Sequence, residues 1–427
     1  MQNVEKMPKK ACLVSLGCKV NKYEIDCMAN ILKGAGWEVT LKHEAADLFV
    51  VNTCAVTNEG EKKSRQYIAK LSKLNPNAKI IVCGCASENN VDQFKKPNVI
   101  SVIGNEGKEN ILDLIENPRF EKYEFSTTFN HKTVNPIKSQ TRAYIKVQDG
   151  CNNFCSYCLI PYVRGRSRSR DLDSVMAEAT ELAKHNAELV VTGIDLSSYK
   201  INGNLALGEL IFSMRNLPAR IRLGSLEVNV ITEDFMKFLT RTPNFCPQFH
   251  LSLQSGANTT LKRMNRHYTT KEYLEKVDLI RKYYPDANIT TDVIVGFVGE
   301  TDEEFSETMQ TCKDAKFGGM HIFPYSKREG TVACRLKEEI PDGNIVKNRI
   351  KQLNEIKEES IKTFYNSLVG KTYNMLVEEK EDNHYVGFTE NYVKVYVSEP
   401  LTENQIVKVK LIKPFKAGML AEPVKGD

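Results

Sequence analysis

The densest run of reactive groups in this chain is Gly150-Cys151-Asn152-Asn153-Phe154-Cys155-Ser156-Tyr157-Cys158. Three thiolates in a CxxxCxxC spacing on one short loop can hold three irons of a cubane cluster. The fourth iron then stays open to a small molecule, as catalytic metal sites keep a free position. Zinc or plain reactive thiols are the competing readings. Zinc normally takes two CxxC-type halves, and no second half follows here.

Three further cysteines are distant in sequence but alike in setting. Cys18 follows the apolar run Ala11–Leu16, Cys54 follows Leu48–Val51, and Cys85 follows Ile80–Val82. If those runs are neighbouring parallel strands, their carboxyl ends face one crevice, where α/β sheets bind ligands. Buried structural cysteine is the alternative for any one of them. Cys83 competes with Cys85 for the third place, but its neighbours put it inside the strand. Cys12, Cys27, Cys246, Cys312 and Cys334 sit in apolar or helical settings and read as structural. His267 and His321 have no ligand partner nearby in sequence and read the same way.

The elements that must position these thiols follow from periodicity. Apolar runs at Ala11–Leu16, Leu48–Val51, Ile80–Val82 and Val99–Ile103 alternate with helical patterns such as Ile25, Met28, Ile31, Leu32 and Ala35, which predicts a doubly wound parallel sheet. A polar stretch from Asn117-Pro118 to about Pro136 reads as a linker. Six more β/α repeats follow, with strands at Ala143–Val147, Leu189–Thr192, Ile221–Ser225, Phe249–Leu253, Ile289–Val295 and Met320–Pro324. Six such units predict a partial (β/α)6 barrel, with chemistry at the carboxyl ends of its strands. After a charged helix over Asn344–Tyr365, five short segments (Tyr373–Val377, Tyr385–Phe388, Val393–Val397, Ile406–Leu411, Met419–Glu422) predict a small β-barrel. The expected domains are 8–120, 137–368 and 369–427.

The chain has 427 residues, 41% hydrophobic and 26% charged, as expected of globular domains. It has twelve cysteines without the short, loop-rich character of a secreted disulfide scaffold. The start lacks a signal-peptide core, and no apolar run reaches the ~18–20 residues of a membrane span. The expectation is a cytoplasmic protein with no membrane partner. A net charge of +5 permits a nucleic-acid partner without requiring one.

Over nearly its full length the sequence resembles the radical S-adenosylmethionine (SAM) methylthiotransferases. CxxxCxxC is the signature of radical SAM enzymes. Cys18, Cys54 and Cys85, with Asn105 and Lys108 in Gly104-Asn105-Glu106-Gly107-Lys108, resemble the family's N-terminal domain. The last region resembles its RNA-binding TRAM barrel. Leu16-Gly17-Cys18-Lys19-Val20-Asn21-Lys22-Tyr23-Glu24, Asn52-Thr53-Cys54-Ala55-Val56-Thr57 and His321-Ile322-Phe323-Pro324-Tyr325-Ser326 resemble the branch that acts on N6-threonylcarbamoyladenosine (t6A) in tRNA. Val228 and Val298 stand where family members often carry proline, which frees φ and restores an amide donor.

The resemblance implies two [4Fe–4S] clusters and two SAM molecules per turnover. Cys151, Cys155 and Cys158 would hold the cluster that reduces SAM to methionine and a 5′-deoxyadenosyl radical. Cys18, Cys54 and Cys85 would hold an auxiliary cluster carrying the sulfur. One SAM would methylate that sulfur and the other would activate C2 of the adenine at position 37, beside the anticodon. Tyr157, Thr192, Gly193, Glu227, Gln254 and Val295 are the SAM-pocket candidates, Val295 by packing on adenine. Arg164, Arg166, Arg168 and Arg170 are candidates for phosphates of the anticodon stem-loop, and Lys408 and Lys410 are candidates in the last domain. The partners implied are tRNA and an external electron donor, with the enzyme a monomer. Alternatives are the same chemistry on isopentenyladenosine tRNA or on a ribosomal-protein aspartate, or a non-catalytic iron–sulfur RNA-binding protein.

Overall fold

Strands rich in Val, Ile and Leu on both faces belong in a parallel sheet covered by helices on both sides. In the computed structural model, which describes residues 9–129 and 141–424, the first sheet is of this kind. Its strands are β1 (Lys10–Ser15), β2 (Glu38–Thr40), β3 (Leu48–Thr53), β4 (Lys79–Gly84) and β5 (Val99–Val102), all parallel, in the order β2-β1-β3-β4-β5. Alternate residues enter two cores. Val14, Phe49, Val51 and Val82 pack with Ile68 and Leu71 of α2 (Asn58–Leu74). Leu13, Val50, Ile81 and Cys83 pack with Ile25, Met28 and Leu32 of α1 (Lys19–Gly34). The edge strand β2 is not among the expected strands; three residues with one face in water leave little periodicity to read. The order places the topological switch between β1 and β3, so the crevice opens where Cys18 and Cys54 follow their strands. Two shorter helices, α3 (Cys85–Asn89) and α4 (Ile111–Glu116), complete this layer.

By its contacts the segment Gln148–Arg170, which carries the CxxxCxxC loop, groups with this first sheet, as does Ser326–Thr331. Residues 130–136 of the expected linker, and the domain boundaries at 8, 137 and 427, lie outside the described residues.

The second unit holds the expected β/α repeats. β6 (Arg142–Lys146), β7 (Glu188–Thr192) and β8 (Arg220–Leu223) form a parallel sheet in the order β8-β7-β6. β9 (Ser225–Leu226), β10 (Gln248–Leu251), β11 (Asn288–Val295) and β12 (Gly319–Pro324) form a second one, also parallel. The expected continuous strand Ile221–Ser225 is broken at Gly224. There the chain leaves β7, with Gly224 N–H bonded to Val191 O at 2.8 Å, and pairs next with β10. Exchanging partners at a residue without Cβ bends the sheet into a partial barrel. Its core is on the helix side, where Ile145, Val191, Leu223, Leu251 and Val293 meet α5 (Leu172–Ala183), α6 (Leu207–Ser213), α7 (Glu233–Thr240), α8 (Asn258–Arg263), α9 (Thr270–Tyr283) and α10 (Asp302–Ala315). Capping boxes of Thr269 with Glu272 and Thr301 with Glu304 start α9 and α10. Among the described residues no helix is long and apolar enough to cross a membrane.

α11 (Gly343–Leu368) leads to β13 (Thr372–Glu381), β14 (His384–Thr389), β15 (Lys394–Val397), β16 (Ile406–Phe415) and β17 (Gly418–Pro423). These five strands, all expected from sequence, close into a barrel in the order β13-β14-β15-β17-β16. A buried ion cluster joins it to the amino ends of β6, β7 and β8. Glu188 bonds Arg142 and Arg220 at 2.5 Å each and Arg222 at 2.9 and 3.0 Å. Arg220 also donates to Asn374 O and Phe388 O, and Arg222 to Thr389 O and Glu390 O. Burial alone would raise the Glu188 carboxyl, but Arg222, Arg220 and Arg142 outweigh it and hold it below the usual carboxylate range. A depressed carboxyl stabilises the fold above its unfolded-state pKa and loses that contribution as the pH falls. Replacing Glu188 by Gln leaves three buried guanidiniums short of a counter-charge, a loss of about 3–5 kcal/mol at neutral pH. Thermal unfolding followed from about pH 7 to about pH 3.5 should show wild type keeping its advantage over Glu188→Gln to about pH 4.5 and only beginning to lose it below that.

Candidate metal centre

Strand ends place the first three thiols. Cys18 is the N-cap of α1, Cys54 follows β3 directly, and Cys85 is the first residue of α3. Gly84, at φ 107°, makes the last of these turns possible: a Cβ there would lie 2.4 Å from Asn52 Oδ1 and 2.6 Å from Thr53 O. The strand ends are in close contact, since a Cβ on Gly17 would fall 2.8 Å from Cys54 Sγ. The Cys54 thiol is pushed up to about 11, first by burial and then by the neighbouring Cys85 and Cys18 sulfurs, against the pull of the Val56 amide. Cys83 lies in the opposite core, fully buried, as its strand position predicts.

The counter-charge for this crevice is Arg164. Its side chain is fully buried and donates from Nε to Cys85 Sγ at 3.2 Å, from Nη1 to Glu24 at 2.7 Å and from Nη2 to Asn21 at 2.8 Å. Glu24 also accepts from Asn52 at 3.0 Å and from Lys108 at 2.5 Å. Lys108 donates to Asn105 Oδ1 at 2.9 Å, and Asn105 Nδ2 lies 3.6 Å from Cys85 Sγ and 2.6 Å from Val163 O. Burial alone would lower the Arg164 pKa, but Cys85, Glu24 and Asp149 hold it well above its ordinary value. Three thiols ringed by N–H donors and a fixed cation are a donor set suited to a thiolate-bound iron cluster.

The second triad is shaped by its backbone. Gly150, at φ 71°, lets the loop pass against Arg166, whose carbonyl would stand 2.0 Å from a Cβ. Gln148 ties the Asp149 and Gly150 carbonyls, and Cys151 N–H bonds Gly165 O at 3.1 Å. Cys151, Cys155 and Cys158 are all half-buried. The Asn153 and Ile160 amides point at Cys151 Sγ and Cys158 Sγ, each at 3.4 Å. Arg166 stacks over Phe154 at 4.4 Å, and Phe154 meets Tyr162 edge-on. Tyr157 is half-buried between its two cysteines.

In the second unit, Thr192 ends β7 and Gly193 follows it, with Thr192 O accepting from Val147 N at 3.0 Å. Glu227 is ion-paired with Arg266, a partner the sequence reading missed because the pair spans two β/α units. Gln254, at φ 64°, is pinned by main-chain bonds to Asp292 and Ile294. Val295 corrects the expectation of packing on adenine: it is 1% exposed within the helix-side core, while Ile294 occupies the opposite face. Lys408 and Lys410 are exposed on β16, opposite Asn374 and Thr372.

Residues 10–104 match the family model described as "Uncharacterized protein family UPF0004", and residues 145–312 match the Radical SAM superfamily. The threonylcarbamoyladenosine tRNA methylthiotransferase MtaB of Bacillus subtilis (strain 168) is 37% identical over 95% of this chain and 93% of its own length. The chain belongs to the radical SAM tRNA methylthiotransferases. A tRNA-2-methylthio-N(6)-dimethylallyladenosine synthase from Endomicrobium trichonymphae is more distant, at 32% over 90% of this chain and 92% of its own. The fold is similar to that of the radical S-adenosylmethionine methyltransferase TsrM from Kitasatospora setae, with a TM-score of 0.54 at 15% identity over 74% of this chain and 75% of that one.

For this methylthiotransferase the arginine run needs correction. Arg164, Arg168 and Arg170 are buried, Arg168 pairing with Glu106 and Arg170 donating to Tyr23. They are internal counter-charges and not a phosphate-facing surface; Arg166 alone of the four is exposed. Nothing in the run itself shows this, because the acids that pair with it, Glu24 and Glu106, lie far away in sequence. Removing Arg164 would strand Glu24 with only Lys108 as counter-ion. Arg164→Met should cost about 3–5 kcal/mol in urea unfolding of the reduced, metal-free protein. Arg164→Lys should recover only part, because an ammonium lacks the planar fork that reaches Cys85, Glu24 and Asn21 together.

Proposed function

We propose that this protein inserts a methylthio group at C2 of N6-threonylcarbamoyladenosine at position 37, next to the tRNA anticodon, using two [4Fe–4S] clusters and two SAM molecules per turnover. The observation that carries this reading is the grouping of both cysteine triads in one compact unit, linked through Arg164. Cys151, Cys155 and Cys158 would hold one cluster, and Cys18, Cys54 and Cys85 the other. When bound, these groups and SAM supply hydrogen abstraction from an unreactive C2–H bond and the sulfur for insertion.

The chain's own residues hold and surround that chemistry. Arg164 sets a fixed positive charge against Cys85, and Asn105 aims an amide at the same sulfur. Thr192, Gly193, Glu227 and Gln254 offer polar groups at strand ends for SAM, with Arg266 orienting Glu227. Arg166 and exposed Tyr162, with Phe154 between them, present a cation and aromatic faces suited to RNA bases. Lys408 and Lys410 suit the phosphate backbone. An external electron donor, a monomeric state, a cytoplasmic setting and the three-domain division 8–120, 137–368 and 369–427 belong to the same reading.

Two measurements test it. Nucleosides digested from tRNA of a strain lacking the gene should lose the 2-methylthio form of threonylcarbamoyladenosine and regain it on complementation. Loss of the isopentenyl form instead would overturn the choice of substrate. Anaerobically reconstituted protein should hold about eight irons, and the triple variant Cys18→Ala, Cys54→Ala, Cys85→Ala about four, while still cleaving SAM.

A further inference from the structure

The inner face of the second unit carries a polar group that none of these roles uses. Strand alternation sends Thr291, Val293 and Val295 to the helix side and leaves Thr290, Asp292 and Ile294 on the opposite face. His250 of β10 and His321 and Phe323 of β12 share that face. The registers set His250 opposite Thr290, and Asp292 opposite His321. One ligand atom from each of His250, Asp292 and His321 lies within 4.8 Å of the others. His250 is fixed at both nitrogens, 2.9 Å from Thr290 Oγ1 and 3.1 Å from Asp292 Oδ2. His321 is exposed and stacks on Phe323, which is 46% exposed, with rings 6.3 Å apart and tilted 25°. Asp292 and His321 each stand three residues before the carboxyl end of their strand, towards the end where β/α barrels do chemistry.

We propose that His321 and Asp292 read the threonylcarbamoyl substituent of the target base, with His250 holding Asp292 in place and Phe323 packing on the planar ureido group. This rests on the substrate reading above. The substituent carries a carboxylate, a hydroxyl and ureido N–H groups. An imidazole N–H of His321 donates to the carboxylate, and the Asp292 carboxylate accepts from the hydroxyl or a ureido N–H. One donor beside one acceptor fits such a mixed group. A dimethylallyl substituent would offer neither and would leave the polar side chains covered and unmatched, which is how a hydrogen-bonding site rejects an apolar analogue. The sequence shows no partner near His321 because the groups beside it come from two other strands.

The test uses full-length protein reconstituted without oxygen and three anticodon stem-loops that differ only in one base: threonylcarbamoyladenosine, dimethylallyladenosine or adenosine. Wild type should bind the first most tightly. His321→Ala should cut its preference over the adenosine loop by about tenfold or more, the effect of losing a hydrogen bond to a charged group. Asp292→Asn should also lower it, and His321→Gln, which retains an N–H donor, should keep most of it. A His321→Ala protein with the wild-type ratio, whether its affinities hold or fall together, overturns the proposal. Wild type that shows no preference for the threonylcarbamoyl loop sinks the substrate reading, and this inference with it.

Discussion

Gathering three thiolates into one crevice is unfavourable unless fixed positive charge is already there, because buried like charges repel and lose their hydration. Arg164 supplies that charge, and its own burial demands partners in turn. Glu24 answers it, shared with Lys108, so two cations lean on one carboxylate and the guanidinium keeps its Nε for Cys85. Asp149 is further away, at 3.4 Å, and also faces Arg168. The guanidinium is therefore the cation that lies directly against a sulfur of the crevice. Glu24 comes from α1, Lys108 from beyond β5 and Arg164 from the segment after the CxxxCxxC loop. The crevice of Cys18, Cys54 and Cys85 and the CxxxCxxC loop thus share one electrostatic knot.

How much of this was legible in the sequence depends on the range over which each signal acts. The CxxxCxxC loop is local and could be read outright. Cys18, Cys54 and Cys85 could be read because each follows a recognisable strand, and parallel topology does the rest. The burial of Arg164, Arg168 and Arg170 was not legible, since nothing in the run itself distinguishes an internal counter-charge from a solvated face. The break at Gly224 was hidden inside an apolar stretch that looks continuous. Val295 shows the cost of a single step along a strand: the residue beside it, Ile294, has the inner face, and alternation assigns the faces only once the register is known.

The comparison with relatives and the physical reading draw on different residues. Similarity over nearly the whole chain places it among the tRNA methylthiotransferases. The contacts explain why particular residues are needed there: Asn105 and Lys108, which sequence offers only as matches to a pattern, prove to be links between Cys85 and Glu24. In the same way Gly84 is required because a side chain would collide with Asn52 and Thr53 at the turn into Cys85.

The second unit shows how the amino end of a partial barrel is given over to structure. At the amino ends of its strands, Glu188 and three arginines meet carbonyls of the C-terminal barrel, and Tyr392 lies under Arg142 and Arg222 at 5.3 and 4.5 Å. Asp286, just before β11, binds Lys371, Tyr373 and, through its carbonyl, Asn391 of that same barrel. Contacts on both sheets therefore hold the C-terminal barrel at the amino ends of these strands. The C-terminal barrel is thereby fastened to the strand ends opposite those at which Thr192, Glu227 and Gln254 stand.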